Sequence, residues 1–202
     1  MTEIFQETII IAMLAATLRI ATPMLLAAIG ELVVQRAGIW NLGVEGTMLM
    51  SAYVAYSITV ATDSLVIGLL GAIFAGMAMN MILALTAVTF KVNQFVTGLG
   101  INLFAAGTTL FLHRQSLDKY SSGDTPTIST FDKLKIPLLS EIPYLGEILF
   151  SHYFLTYFAF LMVPFVWFFL YRTRYGLEIR SLGENPLALD TKGLSVSVRQ
   201  YC

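Results

Sequence analysis

The chain has 202 residues, 56% of them hydrophobic and 12% charged, with a mean hydropathy of +0.74, which excludes an ordinary soluble domain and marks a membrane protein. Its net charge of -1, with twelve Lys and Arg scattered along the chain, offers no basic field and excludes nucleic acid as a partner. The single cysteine, Cys202, is the last residue, so no intrachain disulfide can form and cysteine usage is silent on redox compartment.

A helix that crosses a bilayer needs about 20 mostly apolar residues, and the windows between ionisable side chains supply five candidates. The first, residues 8–30, is apolar apart from Arg19 near its middle, with Pro23 a turn later. Glu3 and Glu7 stand where a cleaved leader would carry basic residues, and no small-residue cleavage site is evident, so the segment reads as a retained span. Arg19 lies too deep to snorkel and calls for an acid or for carbonyls of the bundle, with Glu45 or Glu31 as partner. The alternative is two shorter interfacial pieces, broken at Arg19 and Pro23.

The stretch RAGIWNLGVEG, residues 36–46, follows. Gly38, Gly43 and Gly46 suit a broken or re-entrant helix, which is tolerated in a membrane only where it lines a cavity or is buried in protein. Asn41 and Glu45 are four apart and share a face if helical. A plain cytoplasmic turn is the alternative, but it would need neither the Glu nor the apolar Ile39, Trp40 and Leu42.

The second span, 46–62, is short, and the third, 64–90, repeats small residues at Gly68, Ala72 and Gly76, which lets two backbones approach closely. In the fourth, 92–113, Gln94, Thr97, Gly98 and Asn102 fall on one side of a helix, with Thr108 further along. That face is either a solute path or a polar contact between helices. Residues 114–147 are a mixed-charge segment between spans, and 148–171 form the fifth span. His113 and His152 bracket the segment without Cys or His partners at metal spacing, so neither a metal nor a catalytic set is expected. After the last span, Asn185 can cap a helix whose first residue is Pro186 and which Gly193 ends. Glu184, Asp190 and Lys192 are then available to a partner, and a solvated connector is the alternative.

Arg36, Lys91, Arg172, Arg174, Arg180, Lys192 and Arg199 fall on one side of a five-span threading, which makes that side cytoplasmic. The N-terminus, Asp63 and the 114–147 segment are then outside; Arg114, Lys119, Lys133 and Lys135 oppose the bias.

Four blocks, RIATPMLLAAIGELVVQRAGIWNLGVEGTMLM, VNQFVTGLGINLFAAGTTLFLHR, IPLLSEIPYLGEILF and GLEIRSLGENPLALDTKGLSV, together resemble the permease subunits of ABC importers in the branched-chain amino acid, ribose and nucleoside group. They are most similar to its simple-sugar and nucleoside branch. The resemblance implies an all-α polytopic membrane protein, with residues 1–202 supplying about five transmembrane helices of a larger permease bundle in the plasma (inner) membrane of a prokaryote. It also implies partners: an ABC ATPase subunit, an extracytoplasmic solute-binding protein and a second permease subunit, identical or related.

On this reading 114–147 is extracytoplasmic and 172–199 is the cytoplasmic coupling loop, with Gly183, Glu184, Asn185, Pro186, Asp190 and Gly193 facing the ATPase. Arg19, Asn41, Glu45, Gln94, Thr97 and Asn102 are candidates for the translocation path or bundle interior. The chain lacks the G-x-x-x-x-G-K-[ST] phosphate loop, so ATP hydrolysis is expected from another chain, and neither enzyme activity nor a cofactor is expected of this one. A nucleoside is the first expectation for the solute and a simple sugar the second. Family permeases continue for several spans beyond the position of Gly193, so the chain reads as truncated at its C-terminus. The competing readings are a non-functional fragment and a secondary transporter, though no clear internal repeat favours the latter.

Overall fold

In hydrocarbon a backbone N–H or C=O has no water to bond, so long apolar runs must coil into helices. They do so in the computed structural model, which describes residues 2–119, 126–128, 130–135 and 148–201. Helix α1 is Thr2–Arg36, α2 is Val44–Thr62, α3 is Leu65–Ala84 with a π-helical extension over Leu85–Thr89, and α4 is Gln94–Lys119. Strands β1, Lys133–Lys135, and β2, Ser151–Tyr153, precede α5, Phe154–Arg172. Three shorter helices follow: α6, Arg174–Glu184, α7, Pro186–Asp190, and α8, Val196–Tyr201. The chain divides into two compact units, Met1–Gly30 with Phe131–Arg172, and Glu31–Thr130 with Thr173–Cys202.

In the first unit, α1 runs unbroken through Arg19 and Pro23, so the two-piece alternative does not occur. Pro23 cannot donate to the carbonyl four residues back. One residue earlier, the Thr22 hydroxyl bonds the Leu18 carbonyl at 2.8 Å and meets the Thr156 hydroxyl of α5 at 3.2 Å, a buried polar link between two apolar helices. β1 and β2 pair antiparallel, with Leu134 opposite His152. The Tyr157 hydroxyl ties this ribbon to α5, accepting from the His152 N–H at 3.2 Å and donating to the Leu134 carbonyl at 3.3 Å. The fifth span therefore starts at Phe154 rather than at 148, because the ribbon satisfies the backbone that a helix would otherwise have to satisfy. Most of 114–147 lies outside the described residues; its start, Arg114 to Lys119, continues α4.

The second unit is organised around α2. Four helical stretches, Ile9–Arg36, Leu65–Thr89, Gln94–Ser116 and Phe154–Arg172, are long and apolar enough to cross a bilayer. The other expected span is α2, 19 residues long and less apolar because Glu45, three Thr, two Ser and two Tyr interrupt it. It packs along both α3 and α4, where its tyrosines meet protein: Tyr53 bonds Ser116 at 3.1 Å and Tyr56 bonds the Pro126 carbonyl at 3.2 Å. The small-residue stripe of α3 faces α2. A Cβ on Gly68 would lie 2.9 Å from the Ala55 carbonyl oxygen, so the two backbones touch there. Ile39, Met79, Leu83, Ile101 and Ala105 form the buried core between the break after α1, α3 and α4.

Candidate functional site

The break after α1 is built from its cap outward. Gly38 takes a left-handed φ of +84°, the Ile39 N–H bonds the Val34 carbonyl at 3.3 Å and the Gly38 N–H bonds the Gln35 carbonyl at 3.0 Å. That pair of bonds, with Val34 packed on Ile39, is a Schellman cap, and it needs the glycine. Beyond it the backbone is irregular, and side chains from neighbouring helices satisfy it. Gln94 Oε1 accepts from the Trp40 N–H at 3.1 Å and Glu31 Oε1 accepts from the Asn41 N–H at 3.1 Å. The Asn102 amide spans the rest, donating to the Leu42 carbonyl at 2.8 Å and accepting from the Gly46 N–H at 2.7 Å. Asn41 itself is 7% exposed; it accepts from the Gly43 N–H at 2.8 Å and donates to Asn80 Oδ1 of α3 at 2.9 Å. Gly98 completes the fit, since a Cβ there would sit 2.9 Å from the Gly43 nitrogen.

The structure thus brings Asn41, Gln94 and Asn102 together as a clamp on the break. Thr97 is half-buried beside it and spends its hydroxyl on the Asn93 carbonyl at 3.2 Å. Glu45 does not share a face with Asn41: α2 begins only at Val44, so the helical spacing does not apply, and Glu45 is exposed in the first helical turn. There the α2 dipole favours its charge. Arg19 is exposed on α1. It cannot pair with Glu31, which lies about 18 Å further along the same helix at 1.5 Å per residue, and which instead accepts from Gln35 and Asn41. Asn80 was not anticipated from the sequence. Its signal was there: it is the lone amide in the apolar window 64–90.

The second half of the site is the polar segment after α5. The Thr173 hydroxyl caps α6 by accepting from the Gly176 N–H at 3.1 Å, a helix that the sequence reading passed over. Asn185 is extended and Pro186 opens α7, as the spacing predicts, but the helix stops at Asp190. Gly193, at φ +76°, closes a second Schellman cap through Leu194 N–H to the Leu189 carbonyl, 3.3 Å, and Gly193 N–H to the Asp190 carbonyl, 2.9 Å. Leu182 and Leu189 are buried against Ala37, with Ile179, Leu194 and Val196 around them.

At the centre of that contact Gly183 meets the end of α1 backbone to backbone: a Cβ on it would lie 2.4 Å from the Arg36 carbonyl oxygen. Glu184 and Asp190 remain exposed. α8 is held by Arg199, which pairs with Glu178 at 2.9 Å and lies over the Tyr175 ring, and by a hydrogen bond between the Tyr201 and Thr89 hydroxyls. Among the described residues no group of His, Cys, Asp and Glu is placed to hold a metal. The clamp is made of neutral amides plus one carboxylate, which suits holding a backbone rather than breaking a bond.

The profile of a family described as the permease component of branched-chain amino acid transport systems matches residues 13–201. The chain is 36% identical over 193 residues to the guanosine ABC transporter permease protein NupQ of Bacillus subtilis, covering 92% of this chain and 60% of the relative. It is 38% identical over 194 residues to the putative glucose ABC transporter permease protein TsgC13 of Haloferax volcanii, covering 94% and 56%. With the nucleoside ABC transporter permease protein NupC of Lactococcus lactis it shares 33% identity, covering 87% and 57%. The chain therefore spans 56–60% of the length of these three relatives. No solved structure matches it.

Proposed function

The chain belongs to the permease-component family of branched-chain amino acid transport systems, a family of integral membrane proteins, and from that premise we propose that it is the membrane-spanning subunit of an ATP-driven importer. The observation that carries the reading is the α6–α7 pair: two capped helices docked on the end of α1, with Glu184 and Asp190 exposed; on this proposal the two acids meet an ATPase subunit on the cytoplasmic face. ATP is hydrolysed by that separate subunit. A second permease subunit completes the pathway, and an extracytoplasmic binding protein delivers the solute. The solute is a nucleoside, with a simple sugar second, in keeping with the names of the relatives.

The test is co-purification of the tagged chain with its ATPase in mild detergent, beside Glu184→Ala/Asp190→Ala. The wild type retains the ATPase, and the double variant loses it while its thermal unfolding is unchanged. Equal recovery of the ATPase by both overturns the assignment of Glu184 and Asp190; a wild type that recovers none overturns the importer reading. Uptake of labelled guanosine against excess glucose, and the reverse, then separates the two solute classes.

A further inference from the structure

The geometry points to the Arg36–Gly38 turn as a rigid joint that carries displacement of the cytoplasmic α6–α7 pair into the transmembrane break, and through Asn41 into α3. This rests on the importer reading, and it names the residues through which that importer couples.

A Cβ on Gly183 would lie 2.4 Å from the Arg36 carbonyl oxygen and 3.1 Å from the Gly38 nitrogen, and a Cβ on Gly38 would lie 3.2 Å from the Gly183 Cα. The contact is therefore main chain on main chain, with no side chain between that could change rotamer and absorb a shift. Packed interiors are poorly compressible, so a contact of this kind moves as a body or breaks. Its apolar flank is buried, with Ala37, Leu182 and Leu189 9%, 1% and 3% exposed, while Arg36, Gly38 and Gly183 themselves lie at the surface. Gly38 also caps α1, so the turn cannot slide without unwinding the helix end.

What the joint drives is equally direct. Three residues beyond Gly38, Asn41 is bonded to Glu31 of α1 and Asn80 of α3, while Trp40, Leu42 and Gly46 are bonded to Gln94 and Asn102 of α4. A push on α6–α7 thus reaches α3 and α4 within a few residues, along hydrogen bonds of 2.7–3.1 Å. A second tie acts in parallel, because Arg199 of α8 grips Glu178 of α6 while Tyr201 bonds Thr89 in the π-helical end of α3. Helices kink at π segments, so α3 has a bendable end where the short helices attach and a hold at Asn80.

Two variants test the joint in the assembled transporter. Gly183→Ala forces α6 off the Arg36 carbonyl; because Gly183 belongs to the loop assigned to the ATPase, hydrolysis is measured beside uptake, and solute moved per ATP hydrolysed falls about tenfold at whatever level of hydrolysis remains. Gly100→Ala, where a Cβ meets nothing within 4 Å, is the control and changes neither. In a Cys202→Ser background, Ala37→Cys/Leu182→Cys is joined with a short thiol cross-linker, and transport survives because the joined parts already move together. The proposal is overturned if Gly183→Ala keeps the wild-type ratio, or if cross-linking stops transport and cleavage of the link restores it. Failure of the pair to cross-link refutes the contact and leaves the importer reading standing. Failure of the wild type to recover an ATPase removes that reading and the proposal together.

Discussion

At the scale of single residues, the break after α1 is held by amides whose two ends do different work. Asn102 donates to the Leu42 carbonyl and accepts from the Gly46 N–H, so truncating it strands both a backbone acceptor and a backbone donor. Each unsatisfied group costs about 1–3 kcal/mol. Asn102→Ala is therefore expected to lower the thermal unfolding midpoint in detergent clearly. Glu45→Gln, at an exposed position, is expected to change stability by no more than about 0.5 kcal/mol. Gln94 and Asn102 were legible because a polar residue in an apolar run must find a partner, and helical spacing placed both on one side. The identity of the partner was not legible: Asn41 meets Asn80, 39 positions away, and no local rule connects them.

At the scale of elements, glycines decide how closely helices approach and where they stop. Gly68 sits where α3 crosses α2, and Gly68→Val would drive a side chain into the Ala55 carbonyl; overpacking of this kind costs about 1–3 kcal/mol. Gly107 of α4 faces open space, so Gly107→Ala is expected to be neutral or to stabilise by up to about 1 kcal/mol. Unfolding midpoints of the two variants should move in opposite directions or differ by the full penalty. Gly193→Ala strains the left-handed cap of α7 by about 1–2 kcal/mol. Amide hydrogen exchange should report it locally, as faster exchange at Gly193 and Leu194, which donate the two cap bonds. Caps such as Asn185-Pro186 and Gly193 could be anticipated because their chemistry is local. α6 was passed over although Thr173 and the Ile179, Leu182 spacing were present, because its buried face is short and its partner, Ala37, lies at the far end of another helix.

At the scale of the whole molecule, the distribution of Lys and Arg sets an expected orientation, with Arg36, Arg174 and Lys192 inside and Asp63 outside. Single cysteines in a Cys202→Ser background check it: Asp63→Cys should react with an impermeant maleimide on intact cells, and Lys192→Cys only after permeabilisation. The reverse pattern would invert the topology and move the α6–α7 pair away from any cytoplasmic ATPase.

The same scale separates what the chain's letters determine from what its packing determines. The sequence by itself set the membrane class, the order and approximate limits of the spans, the break at residues 36–46 and the cap residues of the short helices. These follow from local rules, since lipid leaves an apolar run no choice but to bond its own backbone and a left-handed turn asks for glycine. Only the tertiary structure decided that Asn41 turns inward while Glu45 turns out. It alone set α2, with its polar side chains, along both α3 and α4, and Gly183 against the end of α1. Those outcomes depend on which distant backbone arrives close enough to need a hydrogen bond or to forbid a side chain, and that distance is a property of the packed helices rather than of any stretch of sequence.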